Sequence, residues 1–294
     1  MGFTFYIVDV FAEEKYAGNQ LGVFRNAKDL SDSDMQRIAK EMNYSETTFI
    51  LSEEEREEGF DVRIFTPEEE LPFAGHPTLG AAFVIQQEIL KESVEKVILN
   101  LKIGQIPVTF HYKDGTPDIL WMKQKPPVFG QVIEREAMAR SLSLDAKALD
   151  DKFPVQEVST GIPFFIVPLK NLEHLKKAKV SFREFFALVE STQGKAPLIF
   201  CPESHHGDSD LSVRVFMDYY GIPEDPATGS ANGCLAGYLL KHRYFGENRI
   251  DIRVEQGYEI GRPSLLYLKA AEKEGEIDVF VGGKSVMVAI GEFV

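Results

Sequence analysis

Glu46 is the first residue whose type and setting suggest chemistry. It lies in Asn43-Tyr44-Ser45-Glu46-Thr47-Thr48-Phe49-Ile50-Leu51, where a helical pattern gives way to a strand. Strand alternation puts Glu46 on the face of Thr48 and Ile50. A carboxylate entering an apolar strand is costly unless it is paired or sits at the mouth of a cleft. There, desolvation raises its pKa toward the range useful for general acid or base work. The same residue type also serves as a strand-edge glutamate facing water, and the sequence weighs the two readings equally.

A second constellation is a pair of Gly-containing helix starts, Gly75-His76 and Thr228-Gly229-Ser230. Free N–H groups and the dipole at such ends favour anions, and glycines let a carboxylate approach the backbone. His76 suits donation to a developing oxyanion or simple capping of its helix, as Ser230 suits capping of the other. Asp225, in Pro223-Glu224-Asp225-Pro226, is a turn former or a carboxylate beside the second helix start. His205-His206 with Asp208 and Asp210 reads as a solvated loop rather than a metal cluster, since adjacent histidines point apart. Arg63 and Arg214 read as residues packing at the core edge. The order Gly-Ser-Ala-Asn-Gly from Gly229 is not a nucleophile elbow, and no dinucleotide or phosphate-loop fingerprint follows a strand. What remains is proton transfer without a cofactor or metal, or plain ligand binding.

The elements that must position these residues come twice. Val62, Arg63 and Phe65 return as Val213, Arg214 and Phe216, and Phe49 returns as Phe200, each 151 residues on. Gly104 returns near Gly257, and AGHPTLGAAF from Ala74 returns as TGSANGCLAGY from Thr228. At the same offset Glu46 meets Pro197, so only one half brings the carboxylate. Tyr6 to Val10, Leu21 to Phe24, Thr47 to Leu51 and Val62 to Phe65 are predicted strands, with a turn at Ala17-Gly18-Asn19. Ser31 to Asn43 is a predicted helix with a capping-box-like start, the stripe Met35, Ile38, Ala39, Met42, and a left-handed exit suited to Asn43. Another helix, opened by His76-Pro77 and running to about Leu90, is apolar around its first half, which predicts burial on all sides. The expected architecture is α+β: a curved sheet wrapped about a central helix, used twice, with the crevice between halves as the default site.

The chain has 294 residues, 44 % of them hydrophobic, and a net charge of −14. That charge repels nucleic acid and anionic membrane surfaces. No apolar run reaches the roughly 18 to 20 residues of a spanning helix, and Met1 to Asp9 lacks the pattern of a signal peptide, so a cytoplasmic location is expected. Cys201 and Cys234 sit in apolar stretches and read as buried, reduced thiols.

Val8-Asp9-Val10-Phe11, Gly18-Asn19, SETTF from Ser45, Phe65-Thr66-Pro67, the run from Glu70 to Thr78 and the run from Glu224 to Ala231 together resemble the PhzF-like phenazine-biosynthesis family, relatives of diaminopimelate epimerase. The resemblance runs nearly end to end. It implies the epimerase-like fold of two pseudo-symmetric halves, divided here as 1–115 plus 278–294 and 116–277, with the last strand crossing back to the first half. It implies a homodimer without a cofactor that acts in a biosynthetic process. By resemblance Glu46 is the proton-shuttling glutamate, with His76, Asp225 and Ser230 in support. Gly75, Thr228, Gly229, Ser230 and Asn19 would bind a small carboxylate substrate. The epimerases' cysteine pair is replaced by Ala74 and Thr228. The expected activity is therefore a cofactor-independent isomerase. The rivals are a two-base epimerase or racemase using Glu46 and Asp225, and a non-catalytic binding protein on the same fold.

Overall fold

The structure is a computed structural model that describes residues 2–294; Met1, where the stretch read for a leader begins, lies outside them. The chain forms two compact units, Met1–Met122 with Gly282–Val294, and Lys123–Val281.

In the first unit β1 (Phe3–Val10) runs antiparallel to β2 (Asn19–Phe24). Helix α1 (Asp32–Met42) follows, with Ser31 accepting from the Asp34 N–H at 3.1 Å and Asn43 closing it in the left-handed region at φ 53°. These are the capping side chain and left-handed exit that the sequence predicts. Strand β3 (Glu46–Ile50) lies parallel to β2 and antiparallel to β4 (Phe60–Phe65), which pairs with the short β5 (Glu70–Leu71). Helix α2 (Gly75–Val84) continues into a π-helical turn over Ile85–Leu90. Then come β6 (Lys96–Leu101), parallel to β4, and the antiparallel β7 (Gly104–Lys113) and β8 (Thr116–Lys123).

The second unit repeats this order. Strand β9 (Val128–Val132) leads to α3 (Arg135–Ser141); β10 (Gln156–Ser159), antiparallel to β9, pairs antiparallel with β11 (Pro163–Pro168). After α4 (Leu172–Lys177) and α5 (Phe182–Val189), β12 (Pro197–Cys201) lies parallel to β11. It is antiparallel to β13 (Leu211–Met217), which pairs with β14 (Ile222–Asp225). Helix α6 (Gly229–Lys241) precedes β15 (Arg249–Gln256), parallel to β13, and β16 (Ser264–Lys273), antiparallel to β15. The second unit ends at Val281, within β17 (Glu276–Gly283), and β18 (Ser285–Phe293) returns to pair antiparallel with β1. The senses of pairing from β2 to β7 and from β11 to β16 are identical, as the 151-residue echo requires.

The divisions fall at 122/123, where the pairing of β8 with β7 ends, and at 281/282. Each central helix is buried around its whole circumference. From His76 to Val84 every residue of α2 is buried, and α6 is buried from Ala231 to Leu240. Helix α2 touches β1, β2, β3, β6, β7 and β18, while α6 touches β10, β11, β12, β15 and β16. A helix without a polar face finds no other stable place. On the outer side of each sheet a smaller core forms: α1 over Phe24, Phe49 and Phe65, and α3 to α5 over Phe165, Ile199 and Phe216. Among the described residues no helix is long and apolar enough to cross a membrane.

Candidate active site

Glu46 is the first residue of β3, and alternation decides what it faces. A Cβ on Gly22 would lie 2.9 Å from the Met42 side chain and 3.6 Å from that of Thr47, so Thr47 points to the α1 side of the sheet. Glu46 and Thr48 therefore point to the α2 side. There His76, second residue of α2 and only 5 % exposed, places Nε2 3.5 Å from the Glu46 carboxylate oxygen Oε2. Burial pushes the His76 imidazole down to about 3, against a smaller opposing effect of a hydrogen bond to the Gln20 backbone. A neutral imidazole beside a carboxyl is not an ion pair; it is a dipole with one ring nitrogen anchored and Nε2 making no hydrogen bond. The N-cap residue Ala74 is extended and caps nothing with its side chain, leaving the Gly75 and His76 N–H groups at the helix start. Asn19, buried at 2 %, opens β2 opposite Val10 on β1.

In the second unit Asp225 ends β14 and is 7 % exposed. The Thr228 hydroxyl donates to its Oδ2 at 2.5 Å. Thr228 is the N-cap of α6 and uses its side chain on Asp225 rather than on the helix N–H groups. Gly229 and Ser230 are the first two helical residues. The Ser230 carbonyl accepts from Thr160 Oγ1 at 3.4 Å.

With this geometry in hand, comparison with known proteins places the chain. The family described as phenazine biosynthesis-like protein matches it over residues 8–291. The chain belongs to that family. It is 32 % identical to an uncharacterised isomerase of Clostridium acetobutylicum, over 99 % of this chain and 98 % of that one. It is 34 % identical to the trans-2,3-dihydro-3-hydroxyanthranilate isomerase of Pseudomonas aeruginosa, over 92 % of this chain and 91 % of that one. The crystal structure of a Bacillus anthracis phenazine biosynthesis protein of the PhzF family superposes with a TM-score of 0.92 at 25 % identity, covering 100 % of this chain and 99 % of that one. A probable proline racemase of Agrobacterium radiobacter, at 9 % identity and a TM-score of 0.63 over 99 % of this chain and 93 % of that one, shares the fold alone. The α+β, epimerase-like fold expected from the motifs is thus the fold of the protein.

Within this family member several side chains do something other than the sequence suggests. His76 and Ser230 are not N-caps; both helices begin one residue before them, at Gly75 and Gly229. Arg63 and Arg214 do more than pack. Each stacks on the phenylalanine two residues on, at 5.1 Å and 4.7 Å, and forks a glutamate with two hydrogen bonds. Arg63 holds Glu70 at 2.8 and 2.7 Å, and Arg214 holds Glu224 at 3.0 and 2.7 Å. Hydrogen bonding to Arg63 keeps the Glu70 carboxyl below its ordinary value. Each pair ties down the strand that leads into a helix start.

His205 does not sit in a solvated loop. Its ring is stacked on Tyr258 at 4.3 Å, with Glu255 and Glu259 each 3.0 Å from a ring nitrogen. No group of three or more His, Cys, Asp or Glu among the described residues is arranged to hold a metal ion. Cys201 and Cys234 are buried and not disulfide-bonded, and burial pushes their thiols up to about 11 and about 12. Sequence reasoning missed Gln256, whose amide meets Asp225 and Thr228; its one signal was its place before Gly257, a glycine the repeat singles out.

Proposed function

We propose that this protein is an isomerase that moves a carbon-bound proton within a small carboxylated, unsaturated or carbonyl-bearing substrate, with Glu46 as the proton shuttle. The observation that carries the reading is the contact between Glu46 and the buried, neutral His76 at the uncapped start of α2. Membership in a family with isomerases at about a third identity supports the reaction class.

In the first half-reaction the Glu46 carboxylate takes a proton from carbon and becomes a carboxylic acid. A hydrogen bond from the imidazole to the Gln20 carbonyl fixes the ring N–H there, which leaves Nε2 as a lone pair beside Glu46. That lone pair accepts from the protonated acid and repels the carboxylate, so it favours the proton-loaded state and lowers the cost of the first transfer. The same acid then returns the proton to another carbon of the same substrate face. N–H groups at Gly75-His76 stabilise negative charge developing on the substrate. Asp225, hydrogen-bonded by Thr228, serves to orient rather than to carry the transferred proton. No step requires a cofactor.

The test uses trans-2,3-dihydro-3-hydroxyanthranilate, the compound named for the Pseudomonas aeruginosa relative, alongside a panel of small cyclic carboxylates. Glu46→Gln keeps the shape and loses the proton transfer. It is expected to lower kcat by about 100-fold or more while leaving ligand affinity within a few-fold. Turnover by Glu46→Gln at the wild-type rate would refute the assignment.

A further inference from the structure

Gln256, the last residue of β15, is 1 % exposed, and each polar atom of its amide meets the segment that carries Asp225. Nε2 donates to the Asp225 carbonyl at 2.8 Å and to Thr228 Oγ1 at 3.0 Å. Oε1 accepts from the Thr228 N–H at 3.2 Å and from Asn232 Nδ2 at 2.8 Å. This set admits one orientation only. Turning the amide over would press Oε1 against a carbonyl, which cannot donate, and Nε2 against a backbone N–H, which cannot accept.

We propose that Gln256 is a positioning residue, whose amide acts through the Thr228 hydroxyl to fix the Asp225 carboxylate in the orientation the reaction uses. The proposal rests on the reading of Asp225 given above. A hydroxyl has one proton. With Gln256 donating into Oγ1, that proton is directed to Asp225 Oδ2, 2.5 Å away. The backbone reinforces the arrangement. Gly257 sits at φ +80°, and a Cβ there would lie 2.6 Å from the Pro226 carbonyl and 2.3 Å from that of Arg262, so the chain after Gln256 runs closer to the Asp225-Pro226 turn than a side chain allows. On the other side Glu224 is held in the fork of Arg214. Asp225 is thus clamped at the residue before it, at its own carbonyl and at its carboxylate. The start of α2 shares the arginine fork but not the hydroxyl: Ala74 stands at its N-cap, and His76 Nε2 makes no hydrogen bond. One helix start is equipped to exchange a proton partner, and the other to hold a carboxylate still.

The test compares Gln256→Leu, Thr228→Val, Thr228→Ser and Asp225→Asn as full-length proteins, each first checked for folding by circular dichroism. Crystal structures of Gln256→Leu and Thr228→Val are expected to show the Asp225 carboxylate rotated from its position, and Thr228→Ser to show it in place. With any substrate the wild type turns over, the first two variants are expected to lose kcat by about 10- to 100-fold with KM little changed, and Thr228→Ser to recover most of it. Should Gln256→Leu fail to fold, Thr228→Val, which is isosteric, carries the same test. An unmoved carboxylate and wild-type kcat in these variants, with Asp225→Asn impaired, would overturn the proposal and leave the role of Asp225 standing. Wild-type turnover in Asp225→Asn would instead overturn the role of Asp225, and the crystallographic comparison alone would then decide whether Gln256 positions it.

Discussion

At the scale of a residue, burial of His76 ties the stability of the protein to pH. Its imidazole is neutral because burial withholds the water a charged ring needs, an effect larger than the opposing hydrogen bond to the Gln20 backbone. The unfolded chain takes up a proton near 6.5, whereas the folded protein does so only near 3. Between those values the unfolded state binds the proton and the folded state does not. The contribution of His76 is therefore complete above 6.5 and is lost as pH falls toward 3, by up to about 1.4 kcal/mol per pH unit. His76→Asn removes that proton uptake. Urea unfolding of both proteins at pH 7.5, 6 and 5 should show the variant losing less stability on acidification than the wild type. Parallel profiles would contradict a buried neutral His76. The residue's candidacy was legible from its place beside glycine at a helix start. Its anchor is not, because Gln20, whose backbone the imidazole bonds, lies on β2.

At the scale of an element, what could be read depended on whether a side chain announces the boundary. Helix α1 carries a serine cap and an asparagine exit, and both ends agree with the sequence to within a residue. The starts of α2 and α6 carry no capping side chain, so the sequence offered His76 and Ser230 in place of Ala74 and Thr228. Pro77, taken as an opening residue, sits third in α2, where its missing N–H still costs no helical hydrogen bond. Periodicity carries the predicted helix to about Leu90, since it does not separate the α-helix from the π-helical turn that follows it. Total burial of the two central helices was legible, since a segment apolar on every side has no face to give to water. Close approach was not. In α6 a Cβ on Gly237 would lie 2.7 Å from two ring atoms of Pro127, a side chain that cannot rotate away. Gly237→Val is expected to destabilise the protein by about 1–3 kcal/mol through overpacking, measured by chemical unfolding. An unchanged midpoint would mean that the helix and Pro127 do not pack this closely. The Gln256 network was invisible for another reason: its partners lie 24 to 31 residues away, and a single glutamine at a strand end has no pattern.

At the scale of the whole molecule, two units repeat one order of strand pairing, yet the residues at their helix starts differ: Glu46 faces His76 in one, and Asp225 is held by Thr228 and Gln256 in the other. The first unit is completed only by the end of the chain. Strand β18 pairs with β1 from Phe293 to Ser285, and Phe293 packs edge-on against Phe5 and Phe24 at 5.2 and 5.0 Å. Removing residues 285–294 uncovers one edge of β1 and opens that aromatic cluster. It is expected to lower the melting temperature markedly or to make the protein insoluble, and an unchanged melting curve would contradict this account of the first unit. Turnover in deuterated water, with the product read by mass spectrometry and NMR, distinguishes a single carboxylate that returns the proton it removes from a pair of bases. The product is expected to carry the proton or deuteron on a different carbon of the same face, with none formed by Glu46→Gln and slower formation by Asp225→Asn. Exchange of an α-hydrogen with inversion at the same carbon, requiring both Glu46 and Asp225, would contradict it and establish a two-base epimerase.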